Sequence, residues 1–296
     1  MSSSDRRELQ TLRDLIRYGV SRFNETRIAL GHGSDNAWDE AVYLVLHGLY
    51  LPPDTLDPFL DARVTADERA RVLKLIDRRV TERLPAAYLT QEAWLRGHRF
   101  YVDQRVIVPR SPIAELLDQG LSPWVRDPFE VTRALDMCTG SGCLAILTAL
   151  TFPNAKIDAV DVSTDALEVA RRNVDEYGLQ DRLTLHHSNL FDALPEVAYD
   201  VIVCNPPYVN SQSMDELPDE YRHEPSLALA GGTDGMDLVR RILQAAPRYL
   251  SSEGVLVLEI GHERDHFEAA FPELEPIWLD TETASDQILL LTREQL

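Results

Sequence analysis

The chain has 296 residues, a length that suggests about two domains. Its 44 % hydrophobic and 26 % charged residues match an ordinary globular protein and argue against disorder throughout. The net charge of −20, from 29 Lys and Arg against 49 Asp and Glu, makes nonspecific binding to nucleic-acid phosphates a poor expectation and favours solubility and attraction to basic partners.

No apolar run approaches the roughly 20 residues that span a bilayer, so no membrane partner is expected. The opening MSSSDRRELQ lacks the apolar core of a signal peptide. A cytoplasmic location is therefore the expectation. The three cysteines, Cys138, Cys143 and Cys204, make no disulfide framework and no zinc spacing. They read as small buried residues, and no metal is expected.

Residues 1–84 read as a small helical domain. In 7–30, Leu9, Leu12, Ile16, Val20 and Phe23 recur at three- and four-residue steps. Gly31-His32-Gly33 reads as the stop, with Ser34 or Asp35 capping a second helix over 38–49. Thr65-Ala-Asp-Glu68 is a capping box before a helix over 69–84. Pro85 ends this region. Residues 85–110 read as a connector, with a β-hairpin over 93–102 turning at Arg96-Gly97-His98. Pro109-Arg-Ser-Pro112 is rigid and leads into a helix through Leu117.

From Arg133 short apolar runs alternate with helical segments. The runs are 134–138, 157–162, 183–187, 201–205, 255–260, 276–279 and 288–291; the helices are 144–150, 165–177, 238–249 and 264–271. That alternation predicts a doubly wound α/β sheet within a domain covering 111–296.

Chemistry concentrates in two places. Leu135-Asp-Met-Cys-Thr-Gly-Ser-Gly-Cys143 joins the first strand to a helix. Gly140 and Gly142 allow a ligand close to the backbone, and the helix N-terminus offers free N–H groups. About 20 residues on, Asp161 ends the second strand, where an acid accepts hydrogen bonds from ribose hydroxyls. The alternative is a tight turn, with Asp161 capping the next helix. The second place is Asn205-Pro-Pro-Tyr208 at the end of the fourth strand. Two prolines stiffen the turn and remove donors. What remains is the Asn205 oxygen, the Pro206 carbonyl and the flat Tyr208 ring, a set suited to a planar NH₂ group.

Together these motifs resemble the S-adenosylmethionine-dependent amino-methyltransferases, and the wider context narrows the resemblance to the protein glutamine methyltransferases. That context is the helical N-terminal domain, the hairpin, Pro109-Arg110 before Glu115, and the run from Glu224 to Gly235. The resemblance implies a Rossmann-like, seven-stranded class I S-adenosylmethionine-dependent fold. It gives the N-terminal domain a substrate-binding role. It implies S-adenosyl-L-methionine as cofactor, held by Cys138, Thr139, Gly140, Ser141, Gly142, Asp161, Asn189, Leu190, Asn205, Phe100 and Arg110. Asn205, Pro206 and Tyr208 would carry catalysis, and these with Pro207 the substrate amide. Phe100 and Arg110 each carry a second reading, as core packing and as a surface ion pair. Tyr221 to Glu224 reads equally as a substrate contact and as an ordinary loop. Asn189 stands where the family often has Asp, so an amide oxygen there would accept from the adenine amino group without the charge.

The variants Asp136-Met-Cys138-Thr-Gly140, Pro109-Arg-Ser-Pro-Ile-Ala-Glu115 and Tyr221-Arg-His-Glu-Pro225 resemble the members that methylate a glutamine of the third large-subunit ribosomal protein, a basic partner. Peptide chain release factors are the second substrate reading. Methylation of adenine amino groups on nucleic acid is the third, and the acidic balance argues against it.

Overall fold

The computed structural model describes residues 8–296. They divide into two compact units. One comprises the chain up to Glu92 together with Pro218–His223, and the other Ala93–Leu217 with Glu224–Leu296.

The first unit packs α1 (Leu12–Thr26), α2 (Ala37–Gly48), α3 (Leu56–Phe59), α4 (Ala66–Thr81) and α5 (Ala86–Thr90). Leu15, Ile16, Phe23, Leu44, Val45, Val72 and Ile76 are fully buried between these helices. The helix limits depart from the sequence reading at two points. α1 ends before the glycines, because Arg27 takes the left-handed conformation (φ 50°) and its N–H closes onto Asn24 and Phe23 carbonyls. α2 is capped by Asn36 rather than Ser34 or Asp35, its side chain accepting from the Asp39 N–H at 2.9 Å. The expected capping box at Thr65 and Glu68 is present. Residues 218–223, within the 111–296 expected for the C-terminal domain, group with the helical unit. Glu220 explains why they belong with the helices. Its buried carboxylate accepts from the Ala29 N–H at 2.9 Å and from Arg83 at 3.1 Å, with Arg79 3.5 Å away.

The hairpin of β1 (Glu92–Leu95) and β2 (His98–Tyr101) starts on the last residue of the first unit and otherwise belongs to the second. Arg96 and Gly97 both take positive φ, as a two-residue hairpin turn requires. There follow α6 (Ile113–Asp118), β3 (Arg133–Met137), α7 (Cys143–Thr151), β4 (Lys156–Asp161), α8 (Thr164–Glu176), β5 (Leu183–His187), β6 (Tyr199–Cys204), α9 (Ser211–Glu216), α10 (Asp237–Ala245), β7 (Leu250–Glu259), α11 (Arg264–Ala270), β8 (Ile277–Leu279) and β9 (Ile288–Thr292).

Seven of these strands form one sheet in the order β5-β4-β3-β6-β7-β9-β8. β5 through β7 are parallel, and β9 and β8 run antiparallel. The sheet is apolar on both faces, as a doubly covered sheet must be. Val201, Val203, Val257 and Leu290 lie in one buried cluster; Ile202, Leu256, Leu258 and Leu291 lie in another. The seven expected runs are these seven strands, and the fold is the expected α/β Rossmann-like one. Strand order reverses beside β3. From β3 the chain builds outward through β4 and β5, then returns to place β6 on the other side. Open α/β sheets bind ligands beyond the carboxyl ends of the strands at such a reversal.

Candidate active site

A cleft of about 970 Å³, partly open to solvent, lies there. Its walls come from the ends of four parallel strands: Met137, Cys138 and Gly140 after β3, Asp161 at the end of β4, Ser188, Asn189 and Leu190 after β5, and Asn205 and Pro207 after β6.

The glycine loop is tied down from several sides. Thr139 donates its N–H to Val160 at 2.8 Å and its hydroxyl to buried Asp136. The Gly140 N–H donates to Asp161 Oδ2 at 2.9 Å. Gly140 (φ 55°) has open space where a Cβ would stand, so the cleft reaches the backbone there. Gly142 (φ 80°) has the opposite constraint, for a Cβ would lie 3.2 Å from that of Ala170 in α8. The loop therefore sits close on that helix. Buried Asn173 completes the frame, donating to the Ser141 carbonyl at 2.8 Å and to the Tyr101 carbonyl at 3.0 Å.

Asp161 is not a helix cap. Ser163 caps α8, accepting from Ala166. Asp161 instead accepts from the N–H groups of Gly140 and Ser163, one on each carboxylate oxygen, both at 2.9 Å. Burial raises the Asp161 carboxyl, opposed by these backbone N–H groups. Asp136 is more deeply buried, and desolvation pushes it up to about 7 despite the Thr139 hydroxyl.

Past β6 the turn is braced from outside the cleft. The Tyr208 hydroxyl donates to Glu259 Oε1 at 2.9 Å, and Ser111 donates to Glu259 Oε2. Three glycines crowd this tyrosine. A Cβ on Gly261 would come within 2.4 Å of its ring, one on Gly235 within 2.2 Å of its carbonyl oxygen, and one on Gly231 within 2.7 Å of its Cα. Gly231 also donates to the Val209 carbonyl at 2.9 Å, which keeps the segment after Glu224 alongside the turn. That segment contributes Pro225, Leu227 and Ala228 to the cleft.

The structure brings together Cys138, Gly140, Asp161, Asn189, Leu190, Asn205 and Pro207 as cleft walls. Thr139, Ser141 and Gly142 stand behind the wall as loop framework. Pro206 is buried, and Tyr208 is held by Glu259 next to the wall. Phe100 and Arg110 lie elsewhere. Phe100 is fully buried in the core and stacks on Tyr177 at 5.6 Å. Arg110 makes a bidentate pair with buried Glu224, at 2.6 and 2.8 Å. Glu224 also accepts from the Val108 N–H at 2.9 Å. Cys143 and Cys204 are buried as expected, whereas Cys138 is partly exposed on the cleft. The Asn189 oxygen accepts from Arg241 at 3.1 Å. Sequence reasoning missed Arg105, Val106 and Ile107 in the wall, and Asn173 and Glu259 behind it. None of these stands in a strand-end motif.

A seven-stranded sheet of this order, with an acid, a glycine loop and Asn-Pro-Pro-Tyr at its reversal, defines an α/β methyltransferase. The family model described as "Methyltransferase small domain" matches residues 117–218. The chain is 81 % identical over 296 residues to a "Ribosomal protein uL3 glutamine methyltransferase" of Bordetella pertussis, covering all of this chain and 99 % of the relative. The same description belongs to a Burkholderia pseudomallei protein at 60 % identity over 294 residues, covering 97 % and 96 %. In fold, the chain is similar to the hMettl16 catalytic domain at TM-score 0.50 and 14 % identity, covering 76 % of this chain and 80 % of that one. The chain belongs to the ribosomal protein uL3 glutamine methyltransferase family.

Proposed function

We propose that this enzyme transfers a methyl group from S-adenosylmethionine to the side-chain amide nitrogen of a glutamine in ribosomal protein uL3. The observation that carries this is Asn205-Pro-Pro-Tyr208 at the wall of the same cleft that holds Asp161 and the glycine loop. S-adenosylmethionine supplies, when bound, an electrophilic methyl on a sulfonium. Two features fit it: the open backbone at Gly140 beside Asp161, and the apolar wall of Val160, Leu190 and Leu238. Asp161 would take the ribose hydroxyls. Cys138 and Gly140 would line the amino-acid end, with Leu190 and Asn189 at the adenine.

An amide nitrogen is a poor nucleophile because its lone pair is delocalised. The Asn205 oxygen and the Pro206 carbonyl would accept its two hydrogens, turning the lone pair out of conjugation toward the methyl. They would also stabilise the positive charge that develops on nitrogen. The Tyr208 ring would hold the amide plane. Formation of the N–C bond would be matched by loss of the methyl's bond to sulfur, and the amide proton would leave to solvent afterwards, so no base would be needed at the start. A ribosomal substrate would place this work in the cytoplasm.

The test is labelled methyl transfer into purified uL3, followed by mass spectrometry of the labelled peptide. Label on a glutamine of uL3 is expected. Label confined to release factors or nucleic acid overturns the substrate assignment.

A further inference from the structure

Glu259 is a buried carboxylate with no ion-pair partner of its own among the described residues. It lies at the carboxyl end of β7, 4 % exposed. Arg110, whose charge acts on Glu259, is bound on both nitrogens to Glu224. Burying an unpaired carboxyl is costly, and an apolar residue would fill the same place at less cost. What Glu259 does hold is two hydroxyls, Tyr208 on one oxygen and Ser111 on the other. Ser111 is itself oriented, accepting from the Ile113 N–H at 3.3 Å at the start of α6.

We infer that Glu259 is a positioning residue for methyl transfer: with Ser111 it anchors the Tyr208 hydroxyl and so fixes the ring against which the substrate amide lies. This rests on the proposed function. Gly261, two residues on, lies close against the ring, since a Cβ there would come within 2.4 Å of it. A hydrogen-bonded hydroxyl and a close glycine backbone together restrict how the ring can move.

The clamp depends on the ionised carboxylate, since both of its oxygens accept. Burial pushes Glu259 up to about 7; Ser111, Tyr208 and the Arg110 charge act the other way. The titratable and charged groups facing this site are Tyr208, Cys204 on β6, Arg110, and Glu224 through Tyr208. When Glu259 takes a proton, one oxygen becomes a donor, and the hydroxyl on that oxygen must turn from donor to acceptor, which replaces a charge-assisted bond by a weaker neutral one and loosens the clamp. The turnover number therefore falls as pH drops through about 7, while affinity for S-adenosylmethionine holds.

The experiment measures kcat and KM for methyl transfer into uL3 from pH 5.5 to 9, with thermal melting as the check on folding. In Glu259→Gln the acid limb should vanish and kcat should lie roughly ten-fold or more below the wild-type plateau. In Ser111→Ala the limb should move to higher pH, because a group favouring the carboxylate is gone. A limb unchanged in Glu259→Gln assigns it to another group, Asp136 foremost, and overturns the inference. So does a plateau kcat within two-fold of wild type. Should Glu259→Gln fail to fold, Ser111→Ala decides alone, and an unmoved limb overturns the inference. Wild-type enzyme that does not label uL3 refutes the proposed function instead, so the two failures are distinguishable.

Discussion

Single atoms decide what the cleft can do. In the proposed mechanism Asn205 and Asp161 have separable tasks, one at the substrate amide and one at the cofactor. Asn205→Ala is expected to lower kcat by about 10²–10³, the usual loss for one preorganised polar group. Calorimetric affinity for S-adenosylmethionine should then stay within a few-fold of wild type. Asp161→Ala should show the reverse emphasis, with the binding isotherm weakened; unchanged affinity would remove Asp161 from the cofactor site. Gly261 makes a sharper point. Its φ of 55° suits glycine, and a Cβ there would strike the Tyr208 ring. Gly261→Ala should cost both stability and turnover, visible as a lower melting temperature and a reduced kcat. Asn205 and Asp161 were legible in the sequence because each ends an apolar strand. Glu259 also ends a strand, with Gly261 two residues beyond it, but no motif marks them. Their role arises only because β7 lies beside β6 and brings them against Tyr208.

At the scale of elements, boundaries follow local chemistry where a cap is available. The Thr65 hydroxyl accepts from the Glu68 N–H, and the Glu68 carboxylate accepts from the Thr65 N–H at 2.7 Å. This pair is local and could be read directly from four residues. Thr65→Ala should destabilise the helical unit by about 1 kcal/mol, measured by denaturant unfolding. Arg27 at the end of α1 was not legible, since nothing in its chemistry favours a left-handed backbone. Nor was the fate of 218–223. Glu220 lies 191 residues from Ala29, and no local pattern announces a bond of that range. Phe100 likewise could be core or cavity wall by sequence. Contact with Tyr177, 77 residues on, makes it core.

The charge of −20 belongs to the whole molecule. Ribosomal proteins are generally basic, so an acidic enzyme should gain association rate from long-range attraction. The expected signature is a kcat/KM for uL3 that falls as salt rises from about 0.05 to 0.5 M, where the Debye length shrinks severalfold. The affinity for the small cofactor should change far less. A kcat/KM flat in salt would mean that the charge serves solubility alone.

By itself the sequence determined the strands, the α/β alternation and the two strand-end motifs. These rest on periodicity and on residues adjacent in the chain, which the backbone brings together whatever the rest does. Tertiary structure decided which motifs share a cleft, which polar groups stand behind it, and which unit claims residues 218–223. Those outcomes depend on strand order and on contacts over tens to hundreds of residues. The order β3-β6-β7 sets Glu259 behind Tyr208, and burial there turns an unremarked carboxylate into a group that titrates near neutrality.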